Sequence, residues 1–252
     1  MKQTSERLMP AFFILGLLVL WEGAVRIFGI PLYVLPSPVQ VAETLVQELP
    51  VLALHARVTV AEALAGVAIS LVLALALGVL MDCFPMIRQG LYPVLVVTQT
   101  VPMIVLAPIF IIYMGFGAAP KILTVVLMCF FPVAVSFSDG LSQVDAEYVH
   151  LVRSYGAGQW KTYCLVKIPA AVPALLSGLK VAATYSISGA VVGEWIGSQE
   201  GLGYYLLRVK NGYMLDKVFA CVVVIILLSL AMNGLIRVIA MVSMPYERNK
   251  RS

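Results

Sequence analysis

Charge is scarce in this chain, and its scarcity excludes whole classes of protein. Lysine, arginine, aspartate and glutamate make up 12% of the 252 residues, where a soluble domain carries about 25%. Hydrophobic residues reach 61% and the mean hydropathy is +0.97, which indicates a polytopic membrane protein. The net charge of +4 is too small to mark a nucleic-acid surface, and a bias of basic residues toward loops on one membrane side explains it. His55 and His150 are the only histidines, so a histidine-rich metal site is excluded. Cys83, Cys129, Cys164 and Cys221 are scattered without metal-ligand spacing, and three lie in or beside apolar runs, where cysteine acts as a small hydrophobe. The phosphate-cradling pattern GxxxxGK followed by Ser or Thr is missing, as are GxSxG, HExxH and paired cysteines. No catalytic residue is assigned, and the chain reads as a non-enzyme.

What is present is a series of apolar runs. Six are long enough to cross a bilayer, each clearing about 17 residues: residues 11–29, 58–81, 92–113, 121–137, 170–196 and 218–239. The chain thus reads as an all-α membrane protein with one domain over residues 1–252. The first run lacks a small-x-small cleavage site, so it reads as a span and not a signal peptide. Leu35-Pro36-Ser37-Pro38 starts a short interfacial helix, with Ser37 as cap, Pro38 in the first turn, and Val41, Leu45 and Val46 as an apolar face. Asp82 to Gln89 reads as a polar turn. Run three holds Pro93, Pro102 and Pro108, and proline costs about 3 kcal/mol inside a helix, so this span is expected to be kinked or broken.

With six spans, both termini share one side. That side collects Lys2, Arg7, Arg88, Arg153, Lys161, Lys167, Arg248, Lys250 and Arg251, against Arg57, Lys121, Arg208, Lys210 and Lys217 opposite. Nine basic residues against five favour cytoplasmic termini.

One long polar stretch interrupts the apolar pattern, residues 142–169, with Asp145, Glu147, Arg153, Lys161 and Lys167. Five charges at a bilayer centre would cost about 12–18 kcal/mol, so the stretch stays outside the hydrocarbon. Ser142 with Asp145 resembles a helix start. Val149, Val152, Gly156, Trp160 and Tyr163 form a stripe at helical spacing, Gly156 and Gly158 suit a left-handed turn, and Lys167-Ile168-Pro169 is expected to stop the second helix. The pattern fits two short helices lying on one membrane face, and equally a solvated connector.

Gly156, nine residues, then Val166-Lys167-Ile168-Pro169 resembles the coupling motif of ABC-importer permeases. The motif is usually Glu-Ala-Ala, three residues, Gly, nine residues, Ile-x-Leu-Pro. His150, Leu151 and Val152 stand where Glu-Ala-Ala is expected, a departure that removes the family's glutamate. The run from Pro173 to Leu207, LPSPVQV at Leu35 to Val41, TVAEALAG at Thr59 to Gly66, and TVPMIVLAPIFIIYMGFG at Thr100 to Gly117 are similar to nitrate/sulfonate/taurine-type permeases. The likeness covers about residues 30–240. It implies the type I importer permease fold in an inner membrane, two permease copies surrounded by lipid, two ATPase subunits carrying ATP and magnesium, and an extracytoplasmic binding protein. It also implies that His150, Leu151, Val152, Gly156, Ala157, Val166 and Pro169 meet the ATPase, and that Glu200, Arg208 and Lys210 serve binding-protein docking. TVAEALAG with Glu62, and GLKVAATYSISGAVVGEW, look most like permeases for thiamine-pyrimidine precursors or riboflavin; sulfonates, nitrate and taurine stay open.

Within the spans, Lys180, Thr184, Ile187, Val191 and Glu194 recur at four, three, four and three residues. The pattern puts Lys180 and Glu194 on one face, about 21 Å apart along the axis. Such residues line a water-filled path or snorkel to the two interfaces. Glu62 and Gln99 join Lys180, Thr184 and Glu194 as candidate path residues, while Asn233 suits an interhelical hydrogen bond. An ion-coupled secondary transporter is the alternative class, but the internal repeats such folds often carry are not visible.

Overall fold

The computed structural model describes residues 2–243. They form α1 (Lys2–Ile27), α2 (Pro38–Gln47), α3 (Leu49–Cys83), α4 (Pro85–Thr98), α5 (Met103–Met114), α6 (Ala118–Ser142), α7 (Ala146–Ser154), α8 (Gln159–Thr162), a π-helical turn (Tyr163–Lys167), α9 (Ile168–Glu194), α10 (Leu202–Asn211) and α11 (Leu215–Ser243). Among the described residues there is no strand, as an all-α membrane protein requires. Four helical stretches are long and apolar enough to cross a membrane: Leu49–Cys83, Ala118–Ser142, Gln159–Glu194 and Leu215–Val242. The bent pair α4–α5 makes a fifth if counted as one span. α1 has 26 residues, about 39 Å of rise, and leaves Phe12, Leu15, Val19 and Leu20 exposed.

The bundle is centred on α6, which packs along both α3 and α9. Lipid tails are as apolar as leucine, so helices in a membrane hold together by close packing and hydrogen bonds. Both occur here. A Cβ at Gly178 would stand 2.7 Å from the Pro132 carbonyl oxygen, and one at Gly193 2.9 Å from the Lys121 Cα, so α9 touches the α6 backbone at two levels. The Ser70 hydroxyl donates to Val126 O at 2.9 Å, crossing from α3 to α6. Val125, Cys129, Val133, Ala183 and Ile187 fill the seam without exposure.

The third apolar run is broken, as its prolines predict, and only one of them breaks it. α4 and α5 meet at 103°, with Pro102 capping α5 in an extended conformation, while Pro93 and Pro108 lie inside helices. Thr98 donates to Val94 O and Leu95 O, and Thr100 to Val97 O, so hydroxyls bond back onto carbonyls at the end of α4 beside the break.

Five local expectations are corrected. The polar turn at residues 82–89 is absent: α3 runs to Cys83 and α4 starts at Pro85, because proline suits a first helical turn. Ser142 ends α6 and Asp145 caps α7, its carboxylate accepting from Glu147 N at 3.0 Å. Pro169 does not stop a helix. α8, the π-turn and α9 continue as one stretch from Gln159 to Glu194, and the wider turn before Pro169 accommodates a residue that lacks an N–H. Trp160, expected on the packed stripe, is 73% exposed, since the π-turn turns Thr162 and Tyr163 inward instead. The interfacial helix α2 has Ser37 as cap and Pro38 at its start; Val41 is buried but Val46 is exposed, because α11 covers only one side of so short a helix.

Candidate functional site

Polar side chains gather at the two ends of the bundle. At the α7 end, the chain leaves α6, forms α7 and turns at Gly156. The Gly156 amide donates to Arg153 O at 2.9 Å and the Ala157 amide to Val152 O at 3.3 Å, a Schellman-type close with Gly156 at φ +82°. His150 and Leu151 are exposed, Val152 and Ala157 half-buried. Farther along, Val166 is half-buried and Pro169 exposed, so His150, Leu151, Gly156 and Pro169 are accessible together with Tyr155 and Trp160.

The π-turn is clasped to α3. Asp82 Oδ2 accepts from the Tyr163 hydroxyl and from Lys167 Nζ at 2.6 Å. The Cys83 thiol donates to the Tyr163 oxygen at 3.2 Å, and Lys167 Nζ sits 5.1 Å from the Tyr163 ring centre. A second tie joins α4 to the end of α6: Arg88 reaches Ser142 Oγ at 3.1 Å and Asp139 at 3.5 Å, and the Tyr92 hydroxyl donates to Asp139 at 3.2 Å. Neither tie was anticipated. Asp82 and Arg88 read as part of a polar turn, and the partners of both lie far away in sequence.

The opposite end holds a buried network. Glu194 is 1% exposed. Its carboxylate accepts from the Thr59 hydroxyl at 2.7 Å and from the Gly203 amide at 2.6 Å, while Thr59 Oγ accepts from the Leu202 amide at 2.9 Å. Glu194 therefore latches the start of α10 onto α3 and α9. A Cβ on Gly201 or Gly203 would collide with the Glu194 side chain, so glycine is required where the loop passes. Glu62 pairs with Lys121 at 2.8 Å, both nearly buried, and its second oxygen has no hydrogen-bond partner among the described residues. Glu62 and Lys121 also border an open cavity of about 730 Å³ with Phe116, Ser198 and Glu200. At the α2–α3 junction, Glu48 binds Lys217 Nζ at 2.6 Å and the Tyr205 hydroxyl at 3.0 Å. The Lys217 hydrogen bond holds the Glu48 carboxyl below its usual range, against the opposing effect of burial.

The expected single face from Lys180 to Glu194 splits. Lys180 and Thr184 are exposed, whereas Ile187, Val191 and Glu194 are buried, because α3 and α10 cover the Glu194 end of α9. Thr184 and Asn233 exchange hydrogen bonds at 3.3–3.4 Å, the interhelical role expected of Asn233. Gln99 lies at the α4–α5 elbow beside a cavity of about 390 Å³ that Val181 and Tyr185 of α9 also border. Glu200, Arg208 and Lys210 are exposed at the α10 end. Glu62 and Glu194 thus lie at the same end of the bundle, each with its own hydrogen-bond partners, while Gln99, Lys180 and Thr184 lie apart from both. Lys121, which pairs with Glu62, and Thr59, which binds Glu194, carry no sequence signal beyond a charge or hydroxyl at the edge of an apolar run.

Comparison with known proteins gives this arrangement a family. The chain is 34% identical over 251 residues to a formylaminopyrimidine transport permease of Halalkalibacterium halodurans, covering 99% of this chain and 100% of that one. It is 29% identical to a riboflavin transport system permease of Chloroflexus aurantiacus, over 86% of this chain and 81% of that one. It is 28% identical to a putative aliphatic sulfonates transport permease of Bacillus subtilis, over 92% and 83%. In structure it resembles a chain of the MetNI methionine ABC transporter in an inward-facing conformation, with a TM-score of 0.59 at 18% identity, over 75% of this chain and 97% of that one. Residues 66–241 match the model of the family described as binding-protein-dependent transport system inner membrane component. The chain belongs to that family and is an ABC-transporter permease subunit, a multi-pass inner-membrane protein.

Proposed function

We propose that residues 1–252 act as one permease domain, two copies of which join two ATPase subunits and an extracytoplasmic binding protein to import a small organic solute. The favoured solute is a thiamine-pyrimidine precursor, supported by the near full-length likeness to a formylaminopyrimidine permease. Riboflavin and sulfonates are the second reading, supported by two less similar relatives. ATP and magnesium stay on the ATPase. His150, Leu151, Val152, Gly156, Ala157, Val166 and Pro169 form the ATPase-facing surface, and the observation that carries it is the exposed α7 segment closed by Gly156 at φ +82°. Closure of the ATPase moves this surface, and the clasp on Asp82 passes the motion to α3 and α9, a two-state switch biased by ATP.

Glu200, Arg208 and Lys210 meet the binding protein at the other end. Glu62, Gln99, Lys180 and Thr184 border the path, while Glu194 acts on it by holding α10 in place. Both termini are cytoplasmic on this reading; Arg248, Lys250 and Arg251, which contribute to the charge bias, lie outside the described residues. Single cysteines at 153 and 210 test the orientation in intact cells with an impermeant thiol reagent, in a chain whose own cysteines are replaced. Labelling at 210 with protection at 153 is expected; the reverse overturns the coupling assignment. Uptake of labelled formylaminopyrimidine into ATP-loaded vesicles containing the assembled transporter tests the substrate, and uptake without the ATPase would favour a secondary transporter.

A further inference from the structure

We infer that the cavity at the α4–α5 elbow is a contact site for an amino-substituted nitrogen heterocycle in transit, with the Gln99 carboxamide paired to the amino edge of the ring. The inference rests on the pyrimidine reading above and assigns the contact to particular groups.

The elbow is an irregular backbone segment between two apolar helices, and such segments persist at membrane depth where they line a cavity or are buried in protein. Here the cavity measures about 390 Å³, near the lower end of small-molecule sites at about 300–1,000 Å³, which suits one substituted ring. The Thr98 and Thr100 hydroxyls turn back onto helix carbonyls, leaving Gln99 as the elbow's polar side chain on the cavity. A carboxamide presents a donor and an acceptor side by side. An aminopyrimidine edge presents the complement, a ring-nitrogen acceptor beside an amino donor, so two parallel hydrogen bonds form, as glutamine makes with adenine.

The walls fit a flat ring. Met103, Met128, Phe131 and Tyr185 border the cavity, and thioethers and aromatic rings both favour contact with a π-face. Pro132, also on the wall, has no N–H, so the Met128 carbonyl four residues earlier loses its helical donor. That carbonyl is an acceptor for the second amino hydrogen. The three elements that meet here, the elbow, α6 and α9, all lead from the α7 end of the bundle toward the α10 end, which suits a solute passing between them.

The test uses the assembled transporter in vesicles, with binding protein saturated in turn by labelled formylaminopyrimidine and by its analogue bearing hydrogen in place of the ring amino group. The readout is the ratio of maximal uptake rates, normalised to recovered complex. Wild type is expected to favour the amino compound, and Gln99→Leu to lower that ratio about tenfold, the loss of one bidentate pair. Tyr185→Phe removes a hydroxyl from the same wall and keeps the ring, so it should change the ratio less than Gln99→Leu. If wild type imports the amino compound and Gln99→Leu keeps the wild-type ratio, the elbow assignment alone is overturned. If wild type does not import it, the pyrimidine reading fails, and this inference with it.

Discussion

Lys167 Nζ lies 2.6 Å from Asp82 Oδ2, and through that contact the π-turn beneath α9 is fastened to the last turn of α3. Tyr163 shares the same carboxylate oxygen. The turn is the one departure from α geometry in the stretch from Gln159 to Glu194. Such turns place residues where a regular helix would not. Tyr163 and Lys167, four residues apart and so on one side of the turn, meet a single acceptor. The accessible α7 surface and the crossing helix are therefore joined at a fixed point.

Removing the acceptor charge isolates that joint. Asp82→Asn leaves Lys167 without its counter-ion in a site where the aspartate side chain is only 8% exposed. Breaking a largely buried pair on one side costs about 3 kcal/mol, so the purified complex should melt earlier. The more telling measurement is solute imported per ATP hydrolysed, which should fall because motion at α7 no longer reaches α3. A lower melting point with an unchanged ratio would make the clasp a structural tie only.

Gly156 separates backbone shape from side-chain contact. Its φ is +82°, and a Cβ placed there meets nothing within 4 Å, so the cost of substitution is conformational and local. Valine in the left-handed region costs about 1–2 kcal/mol, whereas asparagine visits it readily. Gly156→Val should weaken co-purification of the ATPase and lower uptake; Gly156→Asn should stay close to wild type. Full assembly and uptake in Gly156→Val would remove the turn from the ATPase-facing surface.

Glu62 and Lys121 give a stability prediction. Their side chains are 6% and 10% exposed, and removing one partner of such a pair costs about 3–5 kcal/mol. Lys121→Met should lower the melting temperature in detergent by on the order of 10 °C. Glu62→Met combined with Lys121→Met should recover most of that loss, since replacing both charges by apolar groups is often neutral or stabilising. A double variant no better than the single one would show that Glu62 has a second, independent role.

The fold was legible wherever one physical rule acted alone. Apolar runs coincide with the four helices apolar enough to cross a membrane and with the bent α4–α5 pair, Ser37-Pro38 located the start of α2, and Gly156 located a left-handed turn. The errors fall where tertiary contacts outvote a local signal. Pro169 reads as a stop, but a π-turn held by Asp82 carries the helix through it. Lys180 and Glu194 read as one face, yet the loop before α10 folds over Glu194 alone. Lys121 reads as a charge at a membrane surface, and its partner Glu62 lies 59 residues away. Sequence spacing conveys which side of a helix a residue occupies, and says nothing of which neighbour covers it.

Acid separates the charge of Glu48 from its shape. The carboxylate links the α2–α3 junction to α11 through Lys217 and to α10 through Tyr205, with Arg208 bordering the same cavity and Asp216 bonded nearby to Thr44. Hydrogen bonding from Lys217 holds the Glu48 carboxyl below the usual carboxylate range in the folded state. A carboxyl whose folded-state value is depressed contributes stability above its unfolded value and loses it as pH falls through the folded one. The groups are partly solvated, so the contribution is about 1 kcal/mol, roughly 2–4 °C in melting temperature for a chain of this size. Glu48→Gln should therefore melt a few degrees below wild type at neutral pH. The gap should close as pH falls below the ordinary glutamate value of about 4.3 and on through the depressed folded-state one, where the wild-type carboxyl is protonated as well. Lys217→Met should show the same narrowing, because it removes the other half of the pair. Melting curves of the three proteins across pH 3–7 decide it: a gap that stays constant into acid would assign the role of Glu48 to packing and hydrogen-bond geometry, with no part for its charge.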